Sequence, residues 1–534
     1  MKILDFASVE NIQVLPCNEN TKKALFDYGT CTLFPNGHII VDFGAEICGV
    51  VHIVFGENDN NSFVRVRLGE SVYETCSEPG EKNAGNDHSL RDNEYRAILF
   101  GDVTTSESGF RFARIDYVKG DKPIHVARIY AEEHTNGLKK KGYFACSDER
   151  INEIYSVAER TIAQCVRKDD IWDGIKRDRL LWIGDLYPEL CSAFYVYGII
   201  PQFESTLKEA TANLDKWVNN IPSYSAWWII CLAEYYEMSG KKSFVKEMLP
   251  YLNFVVKSFS QVVKTDGTIN FCNNRLAYWQ ENEFFTDWPT HLTKDSEFAW
   301  RYIVSIAMEK ACALYSLFNV DSSLAANCLA RLKKGVCGDS KFKQLTAFGV
   351  LSGYIDEASG KRLLENDTLK GMTCFMSFAI VKAMEKISDG ETILKLIKDY
   401  YGAMLDMGAT TFWEDFDMSW LDENPDPITS LPNKNKKNIH ADFGKFCYKG
   451  LRFSLCHGWS TGFMSFFYRY ILGVIPMSAG YASVKIEPHL CGLKYAEGAI
   501  STKYGTIHIK HTLVNGEIKT VVDLPKKIEL IKSV

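Results

Sequence analysis

The chain is poor in the signals that would place it at once. Its sixteen cysteines are scattered, with no Cys-x-x-Cys pair and no Cys/His cluster at zinc spacing. Several (Cys191, Cys231, Cys312, Cys328, Cys374) sit in apolar helical contexts, where a free thiol behaves as a small hydrophobe. Reduced cysteines point to the cytoplasm. The first ten residues hold no apolar run, so no signal peptide is expected. No apolar stretch reaches the roughly 18 residues of a membrane helix. Long runs of one charge are missing and the formal net charge is only -6, so neither nucleic acid nor a membrane surface is expected as partner. There is no internal repeat, no low-complexity tract and no phosphate-cradling loop, and oligomeric state is not legible.

What is present is an ordinary globular composition, 46% hydrophobic and 24% charged. The 534 residues are enough for roughly three domains. Residues 1–137 read as short strands rich in β-branched and aromatic residues, parted by turn signals such as Asn36-Gly37, Gly44 and 56–61. That spacing predicts an N-terminal β-sandwich. Cys76–Asp92 is polar and reads as a long loop. The run Lys139-Lys140-Lys141 marks a linker, and Ser147-Asp148-Glu149 supplies capping chemistry for a first helix.

From there to residue 474 helical periodicity dominates. Twelve helices are expected, near 148–167, 185–199, 203–219, 224–239, 241–264, 293–317, 321–334, 340–350, 356–366, 373–386, 390–406 and 454–472. An even number of antiparallel helices can close into a toroid of inner and outer rings. The interruptions at Asn219–Tyr224, Thr265–Thr290 and Glu414–Arg452 would then gather as loops at one end, where binding residues usually sit. Residues 475–534 return to strands with turns at Tyr504-Gly505 and Asn515-Gly516, a small C-terminal β-sandwich. The aromatic content of 13% suits stacking on sugars or bases, though large cores use the same residues.

One stretch stands out. Residues 172–189 hold the acids Asp173, Asp178, Asp185 and Glu189, the bases Lys176, Arg177 and Arg179, and two tryptophans, Trp172 and Trp182. Such a mixture is costly to bury unless every charge is paired, while Leu180, Leu181 and Ile183 ask for a core. That conflict is typical of a functional site; a surface loop laced with salt bridges is the plainer alternative. Glycosidases work with paired carboxylates, one protonating the leaving oxygen and one acting on water or carbon. A second acid, Glu414, follows Trp413 in the stretch 407–417, and His457 lies in Cys456-His457-Gly458-Trp459-Ser460.

Together these stretches resemble the α-L-rhamnosidases of glycoside hydrolase family 78. Asp173, Arg177, Asp178, Trp182, Gly184 and Asp185 fall on the family's Asp-x-x-x-Arg, acid, Trp-x-Gly-Asp frame. Ala409-Thr410-Thr411-Phe412-Trp413-Glu414 is similar to its general-base stretch, and Ser454 with His457 to the Ser-x-x-His that opens the last barrel helix. The resemblance implies an (α/α)6 barrel between two β-sandwiches and an inverting cleavage without cofactor or metal, on a small carbohydrate. It departs at the general acid, usually Glu, where this chain has Asp178. Counting back from Trp182 puts Asp178 at that place; counting forward from Asp173 in a longer version of the motif puts Arg179 there, which has no proton to lend.

By this resemblance Asp178, its proton held by neighbouring Asp173 or Asp185, is the general acid and Glu414 the general base. Asp173 and Asp185 accept from sugar hydroxyls. Arg177 holds the carboxylates and donates to a hydroxyl. Trp182 and Trp288, the latter in Thr286-Asp287-Trp288-Pro289, stack on a deoxy sugar, and His457 completes the sugar site. Two other readings stand beside this one: a toroid glycosidase for another sugar, and a silent glycan binder that keeps the pocket but not the acid.

Overall fold

The computed structural model describes residues 1–17, 26–86, 89–270, 285–290, 293–338, 340–366, 369–444 and 448–531. Most of the expected interruption at Thr265–Thr290 thus lies outside the described residues. Three bodies follow one another: a strand-rich N-terminal part, a helical toroid and a small C-terminal pair of sheets.

The N-terminal part is one seven-stranded sheet of β1 (Lys2–Leu15), β2 (Tyr28–Phe55), β3 (Phe63–Gly69), β4 (Asp92–Arg96), β5 (Asp102–Thr104), β6 (Ser108–Lys119) and β7 (Ile124–Glu133). The segments on either side of Asn36-Gly37 and Gly44, expected as separate strands, are a single strand, β2. Asn36 and Gly44, read as turns, instead adopt positive φ (63° and 91°) within it. These kinks let β2 change partners. It pairs with β1 and β6 around residues 38–42 and with β7 and β5 around residues 49–55. Bulges of this kind bend a sheet, and here the bent sheet encloses its own core of Ile39, Val41, Ile53, Phe110, Ile115 and Val126. A short helix, α1 (Val72–Cys76), follows β3, so the segment expected as a loop from Cys76 begins at a helix end.

The strand β8 (Tyr143–Cys146) precedes the toroid but pairs with the C-terminal strand β11 (Tyr495–Thr502). Then come α2 (Glu149–Cys165), α3 (Ile183–Tyr197), α4 (Pro201–Glu209), α5 (Pro222–Ser239), α6 (Lys242–Val262), α7 (Ser296–Ser316), α8 (Ser323–Leu332), α9 (Lys343–Leu351), α10 (Glu357–Leu364), α11 (Ser377–Ile387), α12 (Gly390–Asp406) and the short α13 (Met464–Phe466). The odd-numbered helices touch in sequence, α3 to α5, α7, α9, α11 and α13, and α13 returns to α3, closing an inner ring. The even-numbered helices lie outside. Burial separates the rings: every residue of α3 is buried, Asp185 and Glu189 included, whereas α2 buries one stripe, Ile151, Ile154, Tyr155, Ala158 and Ile162.

Two helices differ from the periodicity. The one expected over 203–219 ends at Glu209, because Trp217 turns into the core against Phe259, with ring centroids 4.9 Å apart. The one expected over 454–472 starts late, since 454–457 is drawn out to meet Glu414 and Gly174. It then runs through 3-10, α and π turns, Gly458–Thr461, Met464–Phe466 and Phe467–Ile471. π turns inside helices cluster at functional sites.

At the C-terminal end, β9 (Val474–Pro476), β10 (Ser483–Ile486) and β14 (Glu529–Leu530) form one sheet. β12 (Gly505–Val514) and β13 (Glu517–Asp523) join β8 and β11 in another. The Asn515-Gly516 hairpin turn has positive φ at both residues (52° and 85°), the geometry this dipeptide favours. Phe144, Ala496, Ile500, Ile507 and Ile509 share the core of the toroid, so these sheets and the helices bury one continuous apolar volume. No helix among the described residues is long and apolar enough to cross a membrane.

Candidate active site

The singular stretch runs from the end of α2 into α3, and most of its charges are buried. Asp173, Lys176, Arg177, Asp185 and Glu189 are each at most 4% exposed. The backbone turns sharply at its centre: Asp178 and Arg179 both take positive φ, 53° and 54°. Two consecutive left-handed non-glycine residues store strain of about 1–3 kcal/mol each. The turn directs Asp178 into a cavity at the mouth of the toroid. Asp173, Trp182, Asp185, Trp288, Glu414 and His457 line that same cavity.

Arg177 does not line it. Its guanidinium lies 3.5 Å from the Tyr448 ring centroid, behind the lining, and its Nε donates to Arg452 O at 3.1 Å. Nη1 donates to Asp178 Oδ2 at 2.7 Å and Nη2 to Glu414 Oε1. One guanidinium therefore bridges the two carboxylates singled out as acid and base. Two roles were expected for Arg177, holding the carboxylates and donating to a sugar hydroxyl; the structure places its guanidinium against Asp178 and Glu414.

Glu414 is fixed further by Ser454. The Ser454 N–H donates to Glu414 Oε2 at 2.8 Å, and the Glu414 N–H donates to Ser454 O at 2.9 Å. Burial acts to raise this carboxyl, but Arg177, His457 and the Ser454 N–H outweigh it and hold Glu414 below the ordinary value. The opposite holds for Asp173 and Asp185. Burial first, and then nearby carboxylates (Asp178 for Asp173; Asp173, Glu414 and Asp178 for Asp185), raises both well above the usual range. His457, whose Nε2 is 3.8 Å from Asp173 Oδ2, is held neutral mainly by burial, at about 3.

Two buried atoms here have no hydrogen-bond partner among the described residues, Asp185 Oδ1 and His457 Nδ1. Orphaned polar atoms at a cavity wall ask for a polar ligand. Asp173, Asp185 and His457 bring ligand atoms within 4.8 Å of one another, a cluster that could take a cation or the hydroxyls of one ring.

The opposite wall is aromatic. Trp182 meets Tyr224 edge-on, Tyr224 meets Phe285, and Phe285 meets Trp288, with centroids 6.2, 5.9 and 5.1 Å apart. Gly184 admits the Tyr224 ring: a Cβ there would stand 2.3 Å from it. Asp287 sets the Trp288 loop, accepting from Trp288 N, Gln344 Nε2 and Thr373 Oγ1 at 2.8, 3.1 and 2.9 Å.

Sequence reasoning missed Tyr224, Phe285, Tyr448 and Trp459, all of which line the cavity. Trp459 stood next to His457 in a quoted stretch, and its ring lies 4.0 Å from the imidazole, so it alone carried a signal.

A closed ring of paired helices with a carboxylate-rich mouth defines the class: a six-hairpin glycosidase toroid. Two family models match parts of the chain. Residues 139–309 match the bacterial alpha-L-rhamnosidase 6 hairpin glycosidase domain, and residues 473–530 match the bacterial alpha-L-rhamnosidase C-terminal domain. No curated protein matches by sequence.

Among solved structures, the fold is similar to a family 78 rhamnosidase of Bacillus sp. GL1 (TM-score 0.73, 21% identity, covering 98% of this chain and 54% of that one). It is also similar to a Klebsiella oxytoca rhamnosidase with rhamnose bound (0.65, 18%, 82% and 88%). A third likeness is to a Streptomyces avermitilis α-L-rhamnosidase complexed with L-rhamnose (0.63, 14%, 92% and 48%). The chain thus spans about half the length of the Bacillus protein.

Proposed function

We propose that this protein is an inverting glycoside hydrolase that removes terminal α-L-rhamnose from oligosaccharides or glycosides. The observation that carries the reading is the Arg177 bridge between Asp178 and Glu414, at the edge of a cavity whose other atoms suit a deoxy sugar. The two carboxylates stand far enough apart to hold a guanidinium between them, and an inverting pair needs a gap for water. Asp178 gives its proton to the glycosidic oxygen as the bond to the anomeric carbon breaks. Glu414, ionised because of Arg177, takes a proton from the attacking water. Asp173, Asp185 and His457 hold the ring hydroxyls, and the aromatic wall from Trp182 to Trp288 packs on the apolar face and the methyl group. Two of the similar structures hold rhamnose by their own descriptions. A cytoplasmic site of action is part of the proposal, supported by free buried thiols such as those of Cys31, Cys48, Cys165 and Cys374.

The test is release of phenol from an aryl α-L-rhamnoside, with proton NMR of the first-formed sugar. Turnover with the β-anomer appearing first is the expected result; the α-anomer first would exclude inversion. One observation favours a second reading, a glycan binder without turnover: the Asp178 carboxylate is short and already engaged by Arg177. Rhamnose binding without any phenol release would establish it.

A further inference from the structure

The N-terminal sheet does more than lean on the toroid. At the turn between β3 and α1 it inserts Glu70, which is fully buried. Glu70 Oε1 accepts from Ser454 Oγ at 2.9 Å and Oε2 from the Leu455 N–H at 2.7 Å. Ser454 is the residue whose N–H holds Glu414 Oε2. The same carboxylate lies 3.3 Å from Lys176 Nζ, which also reaches Glu74 Oε1 at 3.0 Å and the carbonyl oxygens of Leu451 and Phe453. Lys176 immediately precedes the bridging Arg177. Glu70 therefore touches both segments that grip Glu414: 176–177 on one side and 454–455 on the other.

Other contacts from the N-terminal sheet clasp the approach to the same residue. Arg111 Nη1 donates to Gly408 O at 2.8 Å, the Glu46 N–H donates to Thr410 Oγ1 at 2.9 Å, and the Val72 N–H donates to Ile428 O at 2.9 Å. A buried carboxylate is expensive to keep, and this one sits against the buried ammonium of Lys176. A neutral side chain would serve if the turn only had to pack.

We propose that Glu70 is a positioning residue for the general base: the N-terminal sheet sets Glu414 through Ser454 and Lys176. This rests on Glu414 being the base. Glu70 is faced by Lys176, Glu74, Arg91, Glu46 and His440. Glu414 is faced by Arg177, His457, Asp185 and Cys374.

The experiment compares Glu70→Gln, Ser454→Ala and the double variant in the full chain, on an aryl α-L-rhamnoside across pH. Glu70→Gln is expected to lower kcat by about 10–100-fold, the scale of a displaced catalytic group, with KM changed less than about threefold. The acid limb of the profile moves to higher pH, because a loosened Ser454 N–H supports the ionised Glu414 less. Ser454→Ala, which removes only the hydroxyl, shifts the limb in the same direction, and the double variant is no worse than Glu70→Gln alone. An unmoved limb, or additive losses, overturns the proposal. If Glu70→Gln does not fold, Ser454→Ala decides by its limb alone. Failure of the native protein to turn over any rhamnoside is a separate result and overturns the function itself.

Discussion

Arg177 and Glu414 are 237 positions apart in the chain and form a buried ion pair at the mouth of the toroid. The pairing does two things at once. It neutralises a carboxylate that could not otherwise be buried, and it holds that carboxylate ionised, the state a general base requires. The other nitrogen of the same fork reaches Asp178, so the relation between the proposed acid and base is set by one side chain.

Replacing Arg177 by Met should therefore uncouple both groups. Removing one partner of a buried pair costs about 3–5 kcal/mol, readable as a lowered denaturation midpoint. The sign of the pH effect follows from Glu414 lying below its ordinary value: activity is lost as pH falls through the folded value, and without Arg177 that value rises. The acid limb of kcat/KM should move to higher pH; a limb that stays in place would remove Arg177 as the cause.

Glu414→Gln should abolish the base while keeping the shape of the site. A loss of about 10²–10⁴-fold in kcat is expected, with rhamnose still bound in a calorimetric titration. Turnover unchanged in this variant would strike Glu414 from the mechanism.

Asp178→Asn separates substrates. An aryl leaving group departs without much help, whereas a sugar hydroxyl must be protonated. The variant should lose far more activity on a rhamnosyl disaccharide than on an aryl rhamnoside, by about 10²-fold or more. Equal losses on the two would mean that Asp178 is not the acid.

Asp185→Asn should trade binding for stability. Burial, and then its acidic neighbours, raises the folded value of Asp185, so its contribution is fully present below the unfolded value near 3.9 and is lost as pH rises through the folded value. The Asn variant lacks that loss. Its melting temperature should exceed that of the native protein at pH 8 and converge with it toward pH 4, while rhamnose affinity falls. A native protein as stable as the variant at pH 8 would contradict the assignment.

Much of the site was legible because its residues are chemically conspicuous in their own segments. The stretch 172–189 advertised itself by charge against apolar pattern, and Asp173, Asp178, Trp182 and Asp185 do line one cavity with Trp288, Glu414 and His457. Tyr224 and Phe285 did not stand out, since an aromatic residue in an apolar helix or loop has the same composition whether it packs in a core or lines a cavity. Tyr448 follows residues outside the described ones, and only its place over Arg177 gives it meaning. Glu70 was silent for a different reason. Gly69-Glu70-Ser71 after a strand reads as a solvated turn, yet it is buried against a segment 384 positions away.

The sequence alone determined the order of bodies, the number and approximate place of the barrel helices, and the candidate carboxylates. Those depend on local periodicity, turn chemistry and residue type, which are properties of neighbours along the chain. Tertiary structure alone decided that 28–55 is one bent strand rather than three, that β8 belongs with the C-terminal sheets, and that Arg177 bridges Asp178 and Glu414. It also decided which carboxyls keep their protons. Burial and the charges that converge from distant segments set those states, and neither is a property of any single stretch.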